Sequence, residues 1–232
     1  MKKIMWAVSF ASLIGTAIVL QFMPDSVPMH YDLAGNIDRW GSKYESLIFP
    51  GIILAIALFM SLLTRYFEKS ALKNTDEKEA AGARTNAKVI AVTGLCLVGM
   101  FIVMQGFILY GSYKEAVSGA TEQTVDIGKI VVILFGVLII ILGNYITKTR
   151  INGAVGFRVK WSKYNDNTWR RTNRFGAYAL TVAGVVSIIL GVIVRSVAAA
   201  AVAEAVSVLL ASAVTIWYAH KVYLREVGKE AD

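Results

Sequence analysis

The chain has 232 residues, of which 56% are hydrophobic and 17% charged, with a mean hydropathy of +0.57 and a formal charge of +8. That apolar share lies well above an ordinary soluble domain's and excludes water as the solvent for the whole chain. The single cysteine, Cys96, excludes an intramolecular disulfide, so packing must hold the fold.

A bilayer core of roughly 30 Å requires about 20 mostly apolar residues per helical crossing. Six blocks of that kind occur in chain order: 4–23, 46–64, 89–110, 127–147, 175–194 and roughly 202–219. The expected fold is therefore all-α, a polytopic integral membrane protein with about six transmembrane helices. The first block follows Lys2 and Lys3 as a secretory signal would. Its end, Gln21-Phe22-Met23-Pro24, lacks the small-x-small pattern of a cleavage site, so it reads as a retained helix. Pro24, Pro28 and Pro50 lie in or beside the first connecting segment, which leaves the blocks without internal proline kinks. Gly94, Gly99, Gly136, Gly143, Gly184 and Gly191 lie inside blocks, where small residues let helix backbones approach.

The first connecting segment, PDSVPMHYDLAGNIDRWGSKYE over 24–45, is denser in turn formers than a plain connector needs. Pro24 and Pro28 favour extended backbone and Gly35-Asn36 a tight reversal, so 27–33 and 37–40 are expected to form a small hairpin. Tyr31, Trp40 and Tyr44 suit the headgroup level. His30, Asp32 and Asp38 join an imidazole to two carboxylates, a set able to share a cation or a proton. The other histidine, His220, is near the far end of the chain, so a second imidazole ligand is not at hand. Three readings stand for this segment: a structural loop, a recognition surface for a ligand or peptide through His30, Asp32, Gly35, Asp38 and Trp40, or a metal or acid-base site.

The +8 charge gains meaning from its distribution. Fourteen of the 24 basic residues fall in 65–88 and 148–174, and Lys2, Lys3, Lys221, Arg225 and Lys229 join them at the termini. Only Arg39, Lys43, Lys114, Lys129 and Arg195 lie in the alternate connections or at the block edges that adjoin them. Basic segments resist translocation, so the expectation is a plasma-membrane, multi-pass protein with both termini cytoplasmic. Residues 68–88 read as a charged cytoplasmic linker between an N-terminal helical hairpin, 1–67, and a four-helix region, 89–232. Arg195 and Glu204 bracket an alanine-rich stretch and are expected at the outer interface, as a pair; a helix that enters partway and turns back is the competing reading.

The fourth connection, KTRINGAVGFRVKWSKYNDNTWRRTNR over 148–174, carries eight basic residues and two tryptophans. Anionic lipid attracts such segments and indoles anchor at the interface. That accounts for the charge and leaves the glycines unexplained. Gly153 and Gly156 imply tight backbone geometry bringing Arg158 and Trp161 together, and Asn165 or Asp166 can cap a helix running through Trp169. The segment is expected to be folded.

Gly143-Asn144, Asn152, Gly156-Phe157-Arg158, Trp161, Trp169 and Asn173-Arg174 follow one another with the order and spacing of the SdpI-type family, which this chain resembles. It departs from the family pattern where Val159-Lys160 replaces Thr-Pro and Ser162 replaces a threonine. Pro24-Asp25-x-Val27-Pro28-x-His30, with Gly35, Asp38, Trp40 and Lys43, resembles an uncharacterised domain that often precedes the family segment. The resemblance implies a membrane immunity protein acting against a secreted peptide toxin, with a second role in capturing a cytoplasmic regulator. It assigns the inner motif to Asn144, Asn152, Gly156, Arg158, Trp161, Trp169, Asn173 and Arg174.

Other functions have less in the sequence to stand on. A small transporter or lipid-handling protein would need polar groups near the midplane, where Gln105 is almost alone. HExxH and GxSxG are missing, so no enzyme, catalytic residue, metal or cofactor is expected. The basic loop contains no reader fold, and no direct nucleic-acid contact is expected.

Overall fold

A computed structural model describes residues 1–32, 34–73 and 75–231, with side chains through 229. Leu33, at the end of the first expected strand, Asn74, inside the expected linker, and Asp232 lie outside the described residues. The elements are α1 (Lys2–Val19), β1 (Ser26–Tyr31), β2 (Ile37–Ser42), α2 (Ile48–Lys73), α3 (Glu77–Ser118), α4 (Ile127–Ile146), α5 (Asp166–Ile193) and α6 (Val197–Ala231). Single 3-10 turns, Leu20–Phe22 and Lys43–Leu47, flank the β-hairpin. Among the described residues six helices are long and apolar enough to cross a membrane, at the six places expected.

The side chains of these helices are distributed as lipid requires. Along the apolar stretch of α5, from 175 onward, the buried positions are Gly176, Ala177, Ala183, Gly184, Ser187 and Gly191, while Val182, Ile189, Val192 and Ile193 are exposed. A soluble helix would bury the large apolar residues and expose the polar ones. In hydrocarbon, by contrast, helices associate through close packing of small residues and leave the aliphatic ones to the lipid.

Two expected boundaries shift. Residues 77–88, read as linker, form the start of the 42-residue α3, and 68–73 complete α2. At 1.5 Å per residue α3 runs about 60 Å, twice the hydrocarbon thickness, so part of it must lie outside the bilayer. Its charged first turns are helical because Glu, Lys and Ala are strong helix formers. Asp76 also accepts a hydrogen bond from the Glu79 N–H at 3.0 Å, and Glu77 and Glu79 sit in the first turn where the dipole favours acids.

The other shift concerns the last hairpin. α6 runs unbroken from Val197, so its alanine-rich start continues as helix instead of turning back. Arg195 lies exposed in the turn before it, and no ion pair joins it to Glu204 among the described residues. The expected pairing is not made, because Glu204 sits inside the continuous helix, where its Oε1 is buried without a partner.

The chain divides into two compact units, Met1–Met60 with Gly94–Val131, and Ser61–Thr93 with Val132–Asp232. The boundaries fall inside α2, α3 and α4, and so differ from the division expected at 67 and 88. In the first unit Gln105, 3% exposed, accepts from the Ser12 hydroxyl at 2.8 Å and donates to Thr16 Oγ1 at 2.5 Å. This midplane candidate for transport is spent on joining α1 to α3. Leu20, Met23 and Val27 form a small core with Met29, Leu47, Leu109 and Ala116 beneath the hairpin. In the second unit α4 and α5 cross at Gly136 and Gly184, where an added Cβ on either residue would meet the other's carbonyl oxygen at 2.7 or 2.6 Å.

Candidate functional site

The first connecting segment folds as the expected antiparallel hairpin, with Val27 opposite Gly41 and Pro28 opposite Trp40, and irregular pairing around His30. Its turn is built by Asp32, whose Oδ1 accepts from the Ala34 and Asn36 N–H groups at 2.8 Å and whose Oδ2 accepts from Asn36 Nδ2 at 2.7 Å. Those bonds favour the ionised carboxyl and hold it below the usual aspartate range. Gly35 takes φ +90°, a conformation an L side chain rarely adopts. Its N–H donates to the Asp32 carbonyl at 3.0 Å.

The base of the hairpin is closed by Lys43, 8% exposed, which donates to the Met23 carbonyl at 3.1 Å and pairs with Asp25 at 3.0 Å. Arg39 pairs with Glu45 at 2.9 Å. His30 Nδ1 lies 2.6 Å from Asp38 Oδ1, and both side chains are largely exposed, as is Trp40. Thus Asp32 and Gly35 shape the turn, whereas His30, Asp38 and Trp40 lie on the surface. Asp32 is committed to Asn36 and does not join the His30–Asp38 pair. Among the described residues no group of three or more His, Cys, Asp or Glu side chains is placed to hold a metal ion.

Beneath the hairpin is a group that sequence reasoning passed over. Glu115, near the end of α3, is 1% exposed. Its Oε2 accepts from the Tyr31 hydroxyl at 2.6 Å and its Oε1 from the Thr124 N–H at 2.5 Å. Burial, and then the neighbouring Glu115, push the Tyr31 phenol well above its ordinary range, which keeps it an O–H donor. Tyr31 is thereby turned inward rather than to the headgroup level. In sequence Glu115 follows Lys114 at the edge of an apolar block and reads as one more interfacial charge. Tyr31 lies 84 positions away, and only folding reveals their contact.

The segment 148–174 is an irregular but closely bonded fold in the second unit. Asn152 organises its start: Oδ1 accepts from the Ala154 and Val155 N–H groups at 2.7 Å, and Nδ2 donates to the Arg150 carbonyl at 2.7 Å. Gly156 takes φ +107° and packs so closely that an added Cβ would lie 2.6 Å from Asn173 Oδ1. The same Asn173 oxygen accepts from the Phe157 N–H at 2.8 Å, and Asn173 is 1% exposed. Trp169, also 1% exposed, donates its indole N–H to the Thr149 carbonyl at 2.9 Å. Ser162 Oγ bonds the Phe157 and Val159 carbonyls, holding together the stretch where Val159-Lys160 stands. Asn165 caps α5 reciprocally with Thr168, at 2.8 and 3.0 Å. Of the two candidate caps, Asn165 therefore serves.

Arg158 and Trp161 go to different partners. Arg158 is exposed and its Nη1 donates to the Gly153 carbonyl, while Trp161 rests on the His220 ring of α6, with centroids 4.5 Å apart. No hydrogen bond or ring contact joins them, because Arg158 folds back over the turn that precedes it. Asn144 and Arg174 are exposed on α4 and α5. The motif thus separates into an internal frame, Asn152, Gly156, Trp169 and Asn173, and a surface set, Asn144, Arg158 and Arg174, with Trp161 half-buried between them.

The frame predicts a stability effect. Trp169→Phe removes the donor to the buried Thr149 carbonyl and leaves a void, which should lower stability by about 1–3 kcal/mol, read as a thermal shift in detergent. An unshifted midpoint would mean that the indole bond does not hold the segment.

Six membrane-length helices, with folded segments at 24–45 and 148–174 among their connections, define a polytopic helical membrane protein. Residues 148–219 match the SdpI/YfhL protein family, and residues 7–54 match a domain of unknown function, DUF1648. The resemblance drawn from the two connecting segments is borne out. Immunity protein SdpI of Bacillus subtilis (strain 168) is 21% identical over 180 residues, covering 77% of this chain and 75% of that protein. No solved structure matches the chain significantly.

Proposed function

We propose that this chain is a membrane immunity protein that protects a bacterium against a secreted antimicrobial peptide and signals to a cytoplasmic regulator. It lies in the plasma membrane with both termini inside, an orientation supported by the bias of Lys and Arg toward 65–88, 148–174 and the termini. With six crossings, 24–45 then faces outward and 148–174 faces the cytoplasm. The observation that carries the reading is the likeness to an immunity protein over 77% of the chain, through a segment whose motif residues build one bonded frame. The hairpin surface of His30, Asp38 and Trp40 meets the peptide, and the surface set around Arg158 carries the response.

Arg158→Ala is the informative variant, since it removes one bond from an exposed side chain and leaves the buried frame whole. A sensitive Gram-positive strain expressing the native chain should survive secreted membrane-active peptides. The variant should lose protection at equal membrane abundance. Equal survival of the two would remove Arg158 from the working surface, and no protection by either across a broad panel would overturn the immunity reading.

A further inference from the structure

A cavity of about 410 Å³ lies in the first unit beneath the hairpin, with Phe49, Ile108 and Ile127 among its apolar walls and Glu115, Arg39 and Glu45 as its charged residues. A chamber of this size with many apolar walls and few polar groups is the usual form of a small-ligand site. Three charged residues line it, Arg39, Glu45 and Glu115, and the first two pair with each other at 2.9 Å, which leaves Glu115 without a counter-charge. The other nearby basic residues are also committed, Lys43 to Asp25 at 3.0 Å, with Lys129 facing Asp126 at 3.8 Å. Among the described residues no ion pair reaches Glu115.

A carboxylate has about four acceptor positions, and Tyr31 and Thr124 fill two. Burying such a group without a counter-charge is costly, and a cation entering the cavity would meet it in a low-dielectric setting where the attraction is strong. Glu115 lies outside both matched regions.

We infer that this cavity is a binding site for a primary ammonium group carried on an apolar chain, with Glu115 receiving the ammonium and the walls around Ile108 and Phe49 receiving the chain. A lysine or free N-terminus of a membrane-active peptide offers this chemistry, and so does an aminophospholipid headgroup. The inference deepens the immunity reading and rests on it only for the biological source of the ammonium.

The test uses the purified full chain in an uncharged detergent, titrated with n-decylammonium and with n-decanol. The native chain should bind the ammonium about tenfold more tightly than the alcohol, the scale of one charge-assisted bond. Glu115→Gln should abolish that preference and keep the decanol affinity. Ile108→Trp, which fills the cavity and leaves the carboxylate in place, should weaken both probes, and so serves even where Glu115→Gln does not fold.

Equal affinities in the native chain, a preference retained by folded Glu115→Gln, or binding untouched by Ile108→Trp would each overturn the site. Displacement of decylammonium by a short apolar peptide, but not by its N-acetylated form, assigns the ammonium to peptide. Displacement by phosphatidylethanolamine in nanodiscs assigns it to lipid. These readings use no cells or toxin, so failure here leaves protection to be judged by survival, and failure of protection leaves the ammonium preference standing.

Discussion

Gly156→Ala is expected to open the 148–174 segment, with a loss of about 2–5 kcal/mol in local stability. Two costs combine. A non-glycine residue held at φ +107° is strained by about 1–2 kcal/mol. Its Cβ, 2.6 Å from Asn173 Oδ1, also displaces the oxygen that accepts from the Phe157 N–H, and leaving that half-buried donor unpaired costs about 1–3 kcal/mol more. Limited trypsin digestion of the purified protein reads the result directly, since Arg158, Lys160 and Lys163 become cleavable when the segment opens. Gly153→Ala is the matched control: nothing lies within 4 Å of its added Cβ and its φ is ordinary. Similar digestion of the two variants would show that Asn173 and Gly156 do not hold the segment closed.

Gly184→Ala should be the most damaging small substitution within the helices. Its Cβ would lie 2.6 Å from the Gly136 carbonyl oxygen and 2.7 Å from Ile140 Cγ1. Backbone cannot give way as a flexible side chain would, so α4 and α5 must separate along their length. Overpacking of this kind costs about 1–3 kcal/mol or more, and here it removes the close approach that stands in for the hydrophobic effect in lipid. The expected result is a markedly lower thermal midpoint and loss of monodisperse protein in detergent. Gly99→Ala, with nothing within 4 Å of its Cβ, should be neutral or stabilising by up to about 1 kcal/mol through helix propensity. A Gly184→Ala protein as stable as Gly99→Ala would refute the crossing.

That contrast marks a limit of reading glycines from sequence. Gly94, Gly99, Gly136, Gly143, Gly184 and Gly191 were expected to serve packing, and all but Gly99 do meet neighbours at the distance of an added Cβ. Gly99 meets none. Sequence registers that a residue is small but not whether another helix lies opposite.

The hairpin shows the same division. Gly35-Asn36 and the two prolines are local signals, and they located both strands. The roles of the polar residues depended on neighbours outside the local window. Asp32 turned to Asn36, Tyr31 turned down to Glu115, and Lys43 reached across the hairpin base to Asp25.

Six crossings, a helical fold and a cap at Asn165 or its neighbour Asp166 were legible because their causes are local. Each depends on roughly 20 consecutive apolar residues, or on an oxygen two or three residues from an unpaired N–H. The extent of α3 and α6 was less legible, since hydropathy marks where lipid is suited and helix propensity continues beyond it. Tertiary structure alone decided which motif residues are internal frame and which are surface, that Arg195 and Glu204 stay apart, and that Glu115 lines a cavity under the hairpin. Those facts depend on pairs such as Tyr31 with Glu115 or Trp169 with Thr149, whose distance is set by packing between elements and leaves no trace in the spacing of either partner along the chain.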